Sequence, residues 1–213
     1  LKKEGRNLGA KRFAGAATAA FREARNAPHY LAEIKVKTDI PIRLISQDEE
    51  AILGYLAAQT LIGGTSSPFA VWDIGGNSMQ IIFRDHQQHY RIYRGLVASI
   101  SYKKQILEKI HHQPPGLRIT PNPIGRQNLD AALDLAMNAA SDVPEDIRQW
   151  IRQKGTLMIG IGGVHNQSIS RQTGNRPVYR QEDLLAALEM RLNWTDAQIG
   201  GHYADTDVSN LIL

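Results

Sequence analysis

The stretch Phe69-Ala-Val-Trp-Asp73-Ile-Gly75-Gly76-Asn77-Ser78-Met79-Gln80-Ile-Ile-Phe83 constrains the fold more than any other segment of the chain. It opens as a short apolar run rich in aromatic and β-branched residues, the mark of a buried strand. The run ends on a carboxylate, Asp73, and two glycines then turn the chain. Beyond the turn, Met79, Ile81 and Phe83 alternate with Gln80, Ile82 and Arg84, a two-residue period that predicts a second, antiparallel strand. Glycines in such a turn let backbone N–H groups approach a phosphate, and Ser78 adds a hydroxyl. Asp73 stands where it would hold a divalent metal or position a water. A plain hairpin whose paired glycines serve only the turn is the simpler reading. A second stretch argues against it: Thr156-Leu-Met-Ile-Gly160-Ile-Gly162-Gly163 is again an apolar strand entering a glycine turn. Two such loops in one small chain suggest two loops around one ligand.

The 213 residues suffice for one large domain or two small ones, and 42% hydrophobic with 22% charged residues is ordinary for a globular protein. No run of about 18 apolar residues occurs, so no membrane association is expected. Cysteine is absent, which excludes disulfides, thiolate metal sites and a cysteine nucleophile. With no visible signal peptide, a cytoplasmic setting is expected. The net charge of +4 suits a polyanionic ligand but is too small and dispersed to call for nucleic acid.

In chain order, a helix closes at Gly9 and a strand covers Arg12 to Ala17. Thr18 is placed to cap the next helix, and Pro28 opens another. A short strand, Ile40 to Ile45, precedes Ser46-Gln-Asp-Glu49-Glu50-Ala51, where Ser46 and Glu49 have the spacing of a capping box. Gly63 to Pro68 reads as a linker and gives a domain boundary, residues 1–66 against 67–213. A third strand follows from Tyr90, then helices from Ser99, Asn128 and Glu145, and a helix Tyr179 to Leu192 with Leu184, Leu185, Leu188 and Leu192 on its buried side. The apolar run at the end of the chain reads as part of a final helix.

Splitting a phosphoanhydride requires cradled phosphate oxygens, a positioned cation and a base for water. The glycine loops are the cradles and Asp73 is the metal candidate. Glu49 and Glu50 are the base candidates, although acids in a first helical turn commonly just offset the helix dipole. Arg22 has the fork that meets phosphate bidentately, although arginines on helices are more often solvated. His86, His89, His111 and His112 read as exposed turn residues, whereas His165 adjoins the second glycine loop.

Together these segments resemble the exopolyphosphatase and guanosine pentaphosphate phosphohydrolase family, of the actin-like ATPase superfamily. Ala17-Thr18-Ala-Ala-Phe-Arg22-Glu-Ala-Arg-Asn26 is similar to the family's Ala-Thr-Ser-x-x-Arg-x-Ala-x-Asn, and Ile45-Ser46-Gln-Asp-Glu49-Glu50-Ala51 to its Ile-Ser-Gly-x-Glu-Glu-Ala. Asp73-Ile-Gly75-Gly76-Asn77-Ser78 resembles Asp-Ile-Gly-Gly-Gly-Ser, and Gly160 to Gly163 a later glycine loop. The resemblance implies an α/β fold of two RNase H-like domains. It implies that Glu50 activates water, that Asp73 binds Mg²⁺, and that Arg22, Gly75, Gly76, Asn77, Ser78, Gly162 and Gly163 hold phosphate. The implied substrates are inorganic polyphosphate or guanosine pentaphosphate, with a homodimer as the assembly considered.

Three departures qualify this. The family continues Ser-Thr-Glu where this chain has Ser78-Met79-Gln80, and Gln80 brings a hydrogen bond but no negative charge. Nothing here matches the family's opening strand and first phosphate loop, so the first domain is expected to be incomplete at its N-terminus. Asn77 replaces the third glycine and tolerates a left-handed backbone better than most residues. Gln80 supports an alternative, a relative that binds polyphosphate or nucleotide without turnover. An ATP-dependent kinase or actin-like protein is disfavoured by Glu49-Glu50-Ala51.

Overall fold

The computed structural model describes residues 2–63, 67–116 and 119–202; the terminal apolar run and the middle of the linker lie outside them. The chain divides into two compact units, Leu1–Leu53 and Gly54–Leu213.

In the first unit, α1 (Lys2–Asn7) ends ahead of Gly9, whose φ of +85° suits a residue without Cβ. Strands β1 (Gly15–Ala17) and β2 (Ile42–Leu44) pair in parallel, Gly15 opposite Ile42. Between them run α2 (Ala19–Glu23) and α3 (Ala27–Thr38). Pro28 sits in the first turn of α3, where its missing N–H costs nothing. Asp39 closes that helix in the left-handed conformation, donating its N–H to the Lys35 carbonyl at 2.7 Å. Thr18 occupies the N-cap position of α2, but its ψ of −144° departs from the range cap hydroxyls use, and its side chain makes no cap bond.

Helix α4 (Gln47–Leu61) begins as expected: Ser46 Oγ accepts the Glu49 N–H at 3.1 Å. The other half of the expected capping box does not form, because the Glu49 carboxylate is taken by Arg43. Farther along the helix, Tyr55 stacks on Phe69 at 4.6 Å and meets Tyr90 edge-on at 5.5 Å. Gly54 gives way to the Ile161 side chain, whose Cδ1 lies 2.8 Å from where a Cβ would be.

The second unit is built on β3 (Phe69–Ile74), β4 (Met79–Arg84), β5 (Tyr90–Gly95) and β6 (Leu157–Ile161), in the order β5-β4-β3-β6. The first three form an antiparallel meander, and β6 lies parallel to β3 after a helical crossover. The crossover holds α5 (Ser99–Lys109), α6 (Leu129–Ser141) and α7 (Glu145–Ile151). On one face of the sheet, Ala70, Ile81 and Phe83 pack against Val143, Ile147 and Trp150. Phe83 stacks on Trp150 at 4.0 Å, a pair of the kind that adds about 0.5–1.5 kcal/mol beyond area burial. A second core joins Ile106 of α5, Ile124, Ala132 of α6 and Leu192.

In β4, Gln80 and Ile82 are as buried as Ile81 and Phe83, because β4 is central and covered on both sides. One expectation needs correction here. In the late helix, α9 (Gln181–Arg191) after the short α8 (Ser170–Gln172), Leu185 is exposed and Ala187 is the buried residue. The sequence also gave no hint of the helical path Val164–Gln172, whose first part is a wide π-helical turn. The last described helix is α10 (Asp196–His202).

Candidate active site

Two clusters of candidate residues emerge, one in each unit. In the first, Arg22 on α2 donates to Glu50 Oε2 at 2.8 Å and to the Ile45 carbonyl at 3.1 Å. Both side chains are about one-fifth exposed, so the pair is partly shielded and the Glu50 carboxylate has a fixed position. Helix α4 therefore separates two adjacent acids chemically. Glu50 faces Arg22, whereas Glu49 is exposed and held bidentately by Arg43. The Arg43 guanidinium keeps the Glu49 carboxyl below the usual glutamate range, chiefly through hydrogen bonding.

In the second unit, Asp73 lies near the end of β3 with Gln80 directly opposite on β4 and Ile161 beside it on β6. Directly opposed residues in an antiparallel pair share a face, so the carboxylate and the amide are neighbours. Gln80 is 2% exposed, and its Nε2 finds no hydrogen-bond partner among the described residues. Gly162 follows β6 with φ +87°, and a Cβ there would stand 2.7 Å from Asp73 Oδ1. The second glycine loop is thus moulded onto the Asp73 carboxylate. Its requirement for glycine is double, left-handed backbone and close approach.

Gly75 and Gly76 serve differently. Neither has a positive φ, and neither does Asn77, so the left-handed tolerance of asparagine is not called upon. Gly76 is small because the Ile100 side chain fills the space of its Cβ. The carbonyls of the two glycines turn towards α5: Ser99 Oγ donates to Gly75 O at 2.8 Å, and the Ile100 N–H to Gly76 O at 2.7 Å. The turn thereby satisfies the first N–H groups of α5, which a helix start leaves without partners. Ser78 is buried at the head of β4, and Asn77 is half-buried. A cavity of about 790 Å³ opens beside the turn, lined by Gly75, Gly76 and Gly163 together with α5 residues.

Gly160, within the loop read as a phosphate cradle, has another task. A methyl on it would enter the His165 ring. His165 is 5% exposed, edge-on to Trp72 at 5.3 Å, with Nδ1 3.2 Å from the Tyr179 hydroxyl and Nε2 without a partner among the described residues. Burial lowers its pKa to about 4, so the ring is neutral at ordinary pH. Sequence singled out His165 by position but not its burial; the glycine at 160, opposite Trp72 in the ladder, is the signal that something large rests there.

Residues 6–111 match the model of the Ppx/GppA phosphatase family. This chain belongs to that family. Exopolyphosphatase 2 of Mycobacterium tuberculosis is 28% identical over 117 residues, 54% of this chain and 33% of that protein. An uncharacterised protein of Streptomyces coelicolor is 37% identical over 67 residues, 32% of this chain and 20% of that protein. The chain thus spans a third or less of the length of these two relatives. Among solved structures, the Ppx/GppA enzyme of Aquifex aeolicus superposes with a TM-score of 0.69 at 14% identity, over 98% of this chain and 67% of the other. That likeness establishes the α/β fold of Ppx/GppA proteins for nearly all of the chain. The family match encloses Arg22, Glu50, Asp73 and the Gly75–Gly76 turn, and it ends before Gly160.

Among the described residues no helix is long and apolar enough to cross a membrane, and no group of three or more His, Asp or Glu side chains is arranged to hold a metal ion. A cation at Asp73 would therefore complete its shell with water and ligand oxygens. This is the habit of Mg²⁺, which commonly takes one or two carboxylates together with phosphate. The single carboxylate fits such an ion and does not fit a closed protein cage.

Proposed function

We propose that the chain carries phosphoanhydride hydrolase chemistry, releasing the terminal phosphate of inorganic polyphosphate or guanosine pentaphosphate in a cytoplasmic setting. The observation that carries this reading is the 2.8 Å hydrogen bond from Arg22 to Glu50. It joins the two segments, around Thr18–Asn26 and Ser46–Ala51, in which the family's arginine and glutamate patterns are repeated. In this reading Glu50 is the base that accepts a proton from the attacking water, with its carboxylate oriented by Arg22. Arg22 retains further N–H donors for a phosphate oxygen. Asp73 would hold Mg²⁺, which when bound supplies charge neutralisation at the phosphate oxygens. Gly162 keeps the Asp73 carboxylate in place, and Gly75, Gly76, Asn77, Ser78 and Gly163 offer the small, polar surface that phosphate oxygens require. The substrates named for relatives support the anhydride class.

A second reading, ligand binding without turnover, is favoured by one observation: a neutral, buried amide at Gln80 opposite Asp73. The deciding experiment is phosphate release from long-chain polyphosphate and from guanosine pentaphosphate with Mg²⁺, using the full-length protein, Glu50→Gln and Gln80→Glu. Turnover that disappears in Glu50→Gln supports the hydrolase. Absence of turnover that Gln80→Glu restores supports the binding protein. Silence in every variant, with no ligand bound, refutes both.

A further inference from the structure

We propose that Lys103, with Lys104 beside it, anchors a second phosphate group of the ligand, in the cavity adjoining the Gly75–Gly76 turn. The proposal rests on the phosphate reading of that turn and adds to it the residue that receives the rest of the anion. The argument begins with α5. Because the turn's carbonyls are bonded to Ser99 and Ile100, the helix is docked end-on against the glycines. Residues three, four and seven positions on lie along the same stripe, and from Ile100 these are Lys103, Lys104 and Leu107. All of them line the cavity of about 790 Å³, on the wall that begins at Gly75 and Gly76.

Lys103 is the unusual member. It is 7% exposed, in a helix whose other buried positions, Ile106 and Leu107, are apolar. The buried or half-buried arginine of the first unit, Arg22, has Glu50; Lys103 has no ion pair or hydrogen bond among the described residues. Its stem is buried while its ammonium keeps access to the water of the cavity, as long basic side chains commonly do, and the stem alone would be served as well by methionine or leucine. The cavity supplies the missing term. Its walls include Ile74, Ile100, Leu107 and Val164, and such a setting strengthens any charge pair formed within it relative to water. The partner that fits is an oxyanion entering beside the glycines. The exposed Lys104 adds a second positive charge at the same mouth. A ligand bearing several phosphates meets both requirements, whether the chain is inorganic or attached to a nucleoside.

The test is calorimetric titration with inorganic tripolyphosphate and, separately, guanosine triphosphate, in the presence of Mg²⁺. The chain is compared with Lys103→Met, Lys103→Arg, Lys104→Met and Asp73→Asn, and each is melted without ligand. Lys103→Met is expected to leave the melting temperature close to that of the unsubstituted chain while weakening binding about tenfold or more, the size of one lost charge-assisted hydrogen bond. Lys103→Arg should retain most of the affinity, and Lys104→Met should lose less and show a flatter salt dependence. Equal losses for both ligands mean the lysine meets the phosphate chain itself. A loss confined to guanosine triphosphate means it meets a phosphate whose place is set by the nucleoside. Unchanged binding in Lys103→Met, with Asp73→Asn still impaired, overturns the proposal and leaves the phosphate reading standing. A Lys103→Met chain that melts lower marks a structural lysine and also overturns it. Failure of the unsubstituted chain to bind either ligand overturns both.

Discussion

His165 makes the stability of the second unit depend on pH in a window where few other side chains titrate. The ring is buried against Trp72 and over Gly160, with one nitrogen near the Tyr179 hydroxyl and no acid among its described partners. Its pKa falls from 6.5 to about 4, with burial as the cause. In the unfolded chain the imidazole takes its proton near pH 6.5, while in the folded chain it resists until about pH 4. Between those values the unfolded state binds more protons, so stability is complete above about pH 6.5 and declines as pH falls. At about 1.4 kcal/mol per pH unit over that interval, the loss approaches roughly 3 kcal/mol by pH 4. That is a large part of the 5–15 kcal/mol typical of a domain. Other acids, such as Asp146 beside Arg91, also weaken the fold on acidification. The measurement is therefore a difference: urea unfolding of the chain and of His165→Gln at half-unit steps from pH 7.5 to 4. The gap between the two curves should narrow steadily below pH 6.5, because the variant has nothing to protonate there. A constant gap, or an imidazole proton titrating near 6.5 by NMR in the folded chain, would refute the reasoning.

Three further outcomes test the site. Gly162→Ala combines a left-handed Cβ, about 1–2 kcal/mol, with a methyl pressed on Asp73 Oδ1, about 1–3 kcal/mol. It should destabilise the chain by roughly 2–5 kcal/mol in chemical denaturation and weaken Mg²⁺-dependent ligand binding, and a loss below about 1 kcal/mol would contradict the geometry. Glu49→Gln should leave phosphate release within about twofold of the parent, since Glu49 is exposed and committed to Arg43; a loss as deep as that of Glu50→Gln would reassign the base. Gln80→Glu places a second carboxylate opposite Asp73 in a buried position. Its melting temperature should drop at neutral pH and recover with millimolar Mg²⁺, whereas the parent should respond less.

The hairpin was legible because strand, acid and turn follow each other directly in sequence, and β3 and β4 begin and end close to where the apolar runs do. The start of α4 was legible for the same reason, Ser46 being a local signal with a local partner. What escaped was everything decided by partners far along the chain. The parallel pairing of β3 with β6 brings Gly162 onto Asp73, and no periodicity encodes that contact. The burial of Gln80 was not legible either, because the two-residue period speaks for a strand and not for β4 being central and packed on both faces. Nothing in the sequence sets Lys103 apart from the other charged residues of its helix. Only the docking of α5 onto the glycine turn shows that it faces a cavity.

The pair Asp73 and Gln80 limits how a cation would bind. Two carboxylates at these positions would repel one another in a place removed from water, and a divalent ion would be the natural remedy. With one carboxylate and an amide, that pressure is gone: the free site tolerates the absence of metal. The buried Nε2 is a donor without an acceptor among the described residues, and leaving such a group unpaired costs about 1–3 kcal/mol. Its complement is an oxygen, not a cation. In the proposed function the same oxygen-rich ligand would therefore meet Gln80 and complete the shell of the ion held by Asp73. Affinity for Mg²⁺ should accordingly be weak alone and rise in the presence of tripolyphosphate, with the converse effect of Mg²⁺ on tripolyphosphate of equal size, as linkage demands. Calorimetric titrations in both orders measure the two couplings. Tight Mg²⁺ binding to the ligand-free chain would show that position 80 does not govern the metal.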